Sequence, residues 1–250
     1  MNNNTKKGWM QVLRIIVLLL ALVVSGCQVD DGHKVDNEGQ QAIQSVKSEM
    51  DKLNQALLIA AEQGDKASIT KLLADGADIN TRDANGRTSA MIAVHSNQLD
   101  IFNFFVEKGA DINIRDNRSD NPLLYAGAEG MLDFVRAALA AGADTTITNR
   151  FGGTALIPAA DRGHVEIVKE LLTNSDVDID HVNNLGWTAL LEAVILGDGG
   201  KDHQVIVKLL IDHGADVNIA DFDGVTPLEH AKKNGYEEMI IALEHAVTQK

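Results

Sequence analysis

The chain has 250 residues and carries 22 Lys and Arg against 36 Asp and Glu, a formal net charge of −14. That balance excludes a general nucleic-acid binder, which needs clustered positive charge to hold phosphate. Hydrophobic residues reach 45%, enough for a sizeable core, and a single cysteine excludes a disulfide framework or a Cys-based zinc finger.

Residues 1–26 contain no acid. Lys6 and Lys7 form a positive start, an apolar run extends from Val12 to Val24 with Arg14 inside it, and Ser25 and Gly26 precede the sole cysteine. This is the layout of a secretory signal peptide. Its end, Val24-Ser25-Gly26-Cys27, resembles the lipobox of bacterial lipoproteins. The resemblance implies cleavage before Cys27, acylation of its sulfur and new amino terminus, and a periplasmic chain held on the membrane by lipid. Gln28, at the position where Asp retains Gram-negative lipoproteins in the inner membrane, then favours the outer membrane. The alternative is a transmembrane anchor with an incidental cysteine, although about 20 apolar residues are needed to span. Loss of Lys6, Lys7 and Arg14 would leave 19 basic against 36 acidic residues, a net charge of −17.

Residues 28–40 are polar and aperiodic and read as a flexible tether. Ile43, Val46, Met50 and Leu53 then recur at helical spacing and predict a helix packed on the start of the next region. The expected divisions are a signal peptide over 1–26, a lipidated tether with a short helix over 27–52, and a repeat region over 53–247.

The repeat is read from Gly76-Ala77-Asp78, which recurs as Gly109-Ala110-Asp111, Gly142-Ala143-Asp144 and Gly214-Ala215-Asp216. The first two steps are 33 residues, and Thr-x-x-x-x-Ala segments begin at Thr88, Thr154, Thr188 and Thr226. Together with Gly163-His164-Val165-Glu166-Ile167-Val168, these motifs resemble the ankyrin repeat, a β-turn followed by two helices. The resemblance implies an all-α solenoid of helix-turn-helix units joined by hairpin loops. Six units are expected, over 53–83, 84–116, 117–149, 150–182, 183–221 and 222–247. Thr88, Asn121, Thr154, Thr188 and Thr226 should cap the inner helices, and Gly64, Asn97, Gly130, Gly163 and Gly235 should end them. The fourth unit carries one extra residue near Ser175-Asp176. The fifth carries five between its helices, within 197–202, and solenoid insertions often lie in loops on a binding face.

Catalytic and cofactor motifs are absent from the sequence. Gly199-Gly200-Lys201 lacks the first glycine and the hydroxyl residue of a phosphate loop, and Asp176-x-Asp178-x-Asp180 lacks the glycine and closing Glu of a calcium loop. No histidines stand at metal-pair spacing. His203 aligns with His164, a place where the family uses histidine for local hydrogen bonding. Glu192, Asp198 and His203 remain the best candidates for a hydrolase centre, with no nucleophile or oxyanion motif beside them.

In ankyrin proteins, hairpin tips and exposed inner-helix positions contact partners. Carrying those positions over predicts a row of Phe151, Leu185, Trp187 and Phe222 at tips four to six, with Tyr125, Glu192, Asp198 and His203 as further partner-binding residues. The alternative is that neighbouring tips pack together and bury Trp187. The expected function is a non-catalytic, membrane-anchored periplasmic protein that binds an envelope protein, as a monomer, with no cofactor, metal or nucleic acid. The alternatives are an inhibitor or immunity-type protein blocking an envelope enzyme or toxin, and the hydrolase centred on Glu192, Asp198 and His203.

Overall fold

A computed structural model describes residues 37–248. The chain divides into residues 1–46 and 47–250, and the fold is that of the second unit. The signal segment, Cys27, Gln28 and the tether through Asp36 lie outside the described residues. Among the described residues there is no strand, only an isolated bridge between Arg82 and Thr88, and no helix is long and apolar enough to cross a membrane.

Among the described residues twelve helices follow one another: α1 (Asn37–Gln63), α2 (Lys66–Ala74), α3 (Ser89–His95), α4 (Leu99–Glu107), α5 (Pro122–Ala128), α6 (Leu132–Ala140), α7 (Leu156–Asp161), α8 (Val165–Asn174), α9 (Ala189–Ile195), α10 (Lys201–Asp212), α11 (Pro227–Asn234) and α12 (Glu237–Thr248). From α3 onward short inner helices alternate with longer outer ones, which gives an all-α solenoid. The expected break between a short leading helix and the repeats does not occur, because α1 runs unbroken past residue 52 to Gln63. Of its expected apolar face, Ile43 and Met50 are exposed, while Leu53 packs on the core.

The inner helices start where their caps dictate, with one exception. Thr88, Asn121, Thr188 and Thr226 each accept a hydrogen bond from the backbone N–H three residues on, at 3.2, 2.9, 3.2 and 3.3 Å. Their carbonyls accept the N–H four residues on, as in Glu192 N to Thr188 O at 2.9 Å. In the fourth unit the donor of that second bond would be Pro158, which has no N–H. The Thr154 carbonyl instead takes Ile157 N at 3.3 Å, α7 begins only at Leu156, and the buried Thr154 hydroxyl has no hydrogen-bond partner. The expected Thr154 cap is therefore not made.

Left-handed residues close the inner helices at Gly64, Asn97, Gly130, Gly163 and Gly235, with φ between 53° and 73°. The chain then turns straight into the outer helix. Ala60, Ala61, Ala93, Ala126, Ala159, Ala160 and Ala193 are buried on the inner helices, where small side chains admit close approach. The outer helices supply bulk: Ile69, Phe102, Phe105, Val135, Ile167, Leu171, Ile206 and Leu210 are all buried. The Phe102 and Phe134 rings meet edge to face at 5.8 Å between centroids, joining the second and third units. No unit could bury this face alone, so stacking supplies the core.

Polar ladders run along the stack. Asp111, Asp144 and Asp216 each donate their backbone N–H to a side-chain oxygen of the preceding unit (Asn80, Asn113 and Asp180), and Asp78 donates likewise to Asn54 of its own unit, all at 2.8–2.9 Å. That contact accounts for the Gly-Ala-Asp-x-Asn pattern. Thr146 replaces the asparagine in the third unit, and there the link is Thr145 Oγ1 to Asp176 Oδ1 at 2.8 Å, beside the extra residue of the fourth unit.

Candidate interaction groove

Each hairpin is built on one Asx side chain. Oδ1 of Asp83, Asp116, Asn149, Asn183 and Asp221 accepts the N–H groups two and four residues on, all within 3.1 Å. The residue three on is left-handed: Gly86, Ser119, Gly152, Gly186 and Gly224, with φ of 66–82°. The tips thus project as matched turns along one edge of the stack.

Neighbouring tips are tied together at some steps and not at others. Asn117 N donates to Asn85 O, and Asn184 N to Phe151 O, each at 2.9 Å. These tight steps need glycine on the earlier hairpin, since a Cβ at Gly86 or Gly152 would stand 2.9 or 3.1 Å from the next backbone nitrogen. At the third hairpin Ser119 carries that Cβ, and the Arg150 N–H and Arg118 carbonyl, the equivalent pair, are not bonded to each other. At the last step the Phe222 ring lies on Gly186, where a Cβ would be 2.7 Å from the ring.

A groove of about 290 Å³ lies between these hairpins and the inner helices of the third to fifth units. Its floor includes Tyr125, Pro158, Asp161 and Glu192, and its rim includes Arg118, Arg150, Phe151, Leu185 and Leu196. His95 stacks on Tyr125 with ring centroids 3.9 Å apart, and burial lowers the pKa of its imidazole. The Arg150 guanidinium sits 4.5 Å above the Phe151 ring and 4.0 Å from Asp120 Oδ2. Arg162 Nη1 donates to Glu129 Oε1 at 2.8 Å and to the Ala128 carbonyl at 2.7 Å.

The carboxylates deeper in the groove are poorly neutralised. Glu192 is 7% exposed, and Oε1 accepts a hydrogen bond from Asn183 Nδ2 at 2.7 Å. Burial, with the nearby Asp161 charge adding to it, pushes its carboxyl up to about 7 against the pull of Asn183. Burial also raises Asp161 and Asp120 above the ordinary carboxylate range, and the Asp116 charge raises Asp120 further. Among the described residues no cluster of His, Cys, Asp and Glu is arranged to hold a metal ion.

The predicted contact residues separate into three groups. Phe151, Leu185, Tyr125 and Glu192 come together in the groove. Phe222 is 78% exposed on the last tip, while Phe151 and Leu185 are 52% and 49% exposed. Trp187 is only half-buried and does not line the groove, so it does not stand out as the other three do. Asp198 and His203 lie elsewhere, in the fifth-unit insertion. His203 Nδ1 meets Asp198 Oδ1 at 2.9 Å and Nε2 meets the Asp161 carbonyl at 2.8 Å. Both ring nitrogens are thus engaged, and Glu192 is bound to Asn183 instead. The trio does not assemble as a hydrolase centre.

The insertion itself turns away from the groove. Lys201, Asp202 and His203 join α10 as its first turn, leaving 197–200 as the loop. Tyr236 Oη donates to the Gly197 carbonyl at 3.0 Å, so the loop packs on the sixth unit. Sequence reasoning missed Pro158, Asn183 and Asp116 as groove residues; the common Asx position of the hairpins was the available signal for the last two.

The family model for ankyrin repeats matches residues 18–116 and 123–219, most of the chain. The chain belongs to the ankyrin-repeat family. The Escherichia coli K12 ankyrin repeat protein YahD is 42% identical over 182 residues, covering 73% of this chain and 90% of YahD. An ankyrin repeat domain from Acinetobacter baumannii AYE superposes with a TM-score of 0.73 at 49% identity, covering 76% of this chain and 96% of that one. The ankyrin repeat domain of Bcl-3, a member of the IκB family, gives 0.69 at 26% identity, covering 76% and 85%. Ankyrin repeats are protein-interaction modules and generally non-catalytic.

Proposed function

We propose that this chain is a non-catalytic ankyrin-repeat protein of the bacterial periplasm, lipid-anchored through Cys27, which binds a protein of the cell envelope with its fourth to sixth hairpin tips and the adjoining groove. The observation that carries the binding reading is the exposure of Phe151, Leu185 and Phe222 on consecutive hairpins beside a concave groove. Large apolar side chains at a polar rim mark an interface. The anchoring reading rests on the lipobox-like Val24-Ser25-Gly26-Cys27 and the acid-free, largely apolar run before it. Two or more acyl chains on one residue would hold the protein stably, whereas one chain is marginal.

Site-specific photocrosslinking from Leu185 in growing cells tests the binding reading. A discrete crosslinked protein, lost when Phe151 and Phe222 are replaced by serine, is expected. Its absence from cells producing a normally folded protein would defeat the proposal. Incorporation of labelled palmitate, abolished by Cys27→Ser together with membrane association, tests the anchor. A soluble, unlabelled wild-type protein would defeat it.

A further inference from the structure

The groove has an electrostatic bias that its apolar rim does not explain. Its basic groups are mostly spent within the fold: Arg162 on Glu129 and the Ala128 carbonyl, Arg150 on Phe151 and Asp120. Of the three guanidiniums that line the groove, only that of Arg118 has no ion-pair partner among the described residues. Asp161 and Glu192, by contrast, face the groove with no cation bonded to either carboxylate. Leu185 and Leu196, each about half exposed, and Pro158 flank them. A second feature points to the form of the occupant. The tip ladder is interrupted at Ser119, which leaves the Arg118 carbonyl and the Arg150 N–H at the rim without backbone partners. Those are an acceptor and a donor for a chain lying across the groove.

We infer, building on the binding reading above, that the groove receives an extended segment of a partner protein presenting a lysine or arginine, its stem along Leu185, Leu196 and Pro158 and its cationic head against Asp161 and Glu192. Long basic side chains suit such a slot because the stem covers apolar surface while the head keeps a polar contact. The cation would relieve the repulsion between two carboxylates that burial has already deprived of water. An acidic segment would find one free guanidinium and two carboxylates to which no cation is bonded, the Arg162 charge acting on Asp161 only through space.

Panning a random dodecapeptide phage library on the full-length chain tests this. The expected outcome is recovery of peptides with a lysine or arginine among apolar residues. Their synthetic forms should bind about tenfold or more weakly to the Asp161→Asn, Glu192→Gln double variant. Replacing the selected lysine by norleucine should weaken binding to the unaltered protein by a similar factor, which needs no protein variant to fold. Recovery of acidic or uncharged peptides, recovery of none, or affinities within about twofold in both comparisons would overturn the inference. A crosslinked partner whose capture ignores Asp161 and Glu192 would overturn it while leaving the binding reading intact. Failure of crosslinking from Leu185 would strike the binding reading itself.

Discussion

Asn183 and Glu192 are joined side chain to side chain across nine residues, Nδ2 to Oε1 at 2.7 Å. The sixth unit repeats the relationship with other chemistry, Asp221 Oδ2 meeting His230 Nε2 at 2.7 Å. In both, the Asx residue spends Oδ1 on its own turn and turns its second atom to the inner helix. The fifth unit differs in placing a carboxylate there in a buried setting with Asp161 nearby.

That setting fixes a pH dependence. Glu192 ionises at about 7 in the fold against 4.5 as the ordinary value, so the native state holds a proton that the unfolded chain gives up. Its contribution to stability is complete below the lower value and is lost as pH rises through the interval. Glu192→Gln keeps an acceptor for Asn183 and removes the charge. The variant should match the parent near pH 4 and be more stable near pH 8 by on the order of 3 kcal/mol. Urea unfolding at the two pH values checks this, and an equal difference at both would contradict it.

Thr154 and Thr188 occupy equivalent places but do different work. Thr188 Oγ1 accepts Leu191 N, whereas the Thr154 hydroxyl is buried without a partner because Pro158 has altered the first turn. Valine keeps the shape and removes the hydroxyl. Thr188→Val should destabilise by about 1 kcal/mol through loss of the cap, and Thr154→Val should stabilise by a similar amount by removing an unsatisfied group. Denaturation midpoints of the two variants should therefore move in opposite directions.

Ser119 and Gly86 test the tip ladder. Gly86→Ala would put a Cβ 2.9 Å from Asn117 N at a φ of 78°, and should cost about 2 kcal/mol. Ser119→Gly relieves a left-handed non-glycine residue at φ 66° and should gain about 1 kcal/mol. It should also let the fourth hairpin close on the third. Amide hydrogen exchange gives the sharper measurement: Asn117 and Asn184 protected in the parent, Arg150 protected only in Ser119→Gly. Fast exchange of Arg150 in that variant would show that Ser119 does not hold the step open.

His203 is a link between units. Its Nε2 contact with the Asp161 carbonyl repeats that of His164 Nε2 with the Ala128 carbonyl at 3.0 Å and of Gln98 Nε2 with the Glu62 carbonyl at 2.6 Å. His203→Ala should cost about 1–2 kcal/mol, and His203→Gln less than about 0.5 kcal/mol, because glutamine already performs this contact in the second unit. Thermal unfolding of both variants checks the ranking. Equal losses would mean that the ring's packing matters and the hydrogen bond does not.

The repeat architecture was legible from residue spacing because each motif answers a local backbone need. Glycine after an inner helix supplies a left-handed φ, threonine before it supplies an acceptor, and Gly-Ala-Asp-x-Asn supplies both ends of a unit-to-unit hydrogen bond. The Thr154 cap was misread because its failure depends on a proline four residues later that reads as an ordinary helix residue. The exposed tips Phe151, Leu185 and Phe222 were legible because a hairpin position is a solvent position in every unit.

Trp187 and Asp198 were not legible in the same way, and His203 only as a histidine aligned with His164. Its Nε2 partner is the Asp161 carbonyl of the preceding unit, 42 residues away, while its Nδ1 holds Asp198 within the loop. By itself the sequence determined the all-α ankyrin stack, since its determinants are turns, caps and periodic apolar faces that act within a single unit. Only the tertiary structure decided which side chains share the groove, that the fifth-unit insertion packs on Tyr236, and that Asp161 and Glu192 stand together with no cation bonded to either. Those are properties of the space between units, where burial and charge depend on side chains far apart in the chain.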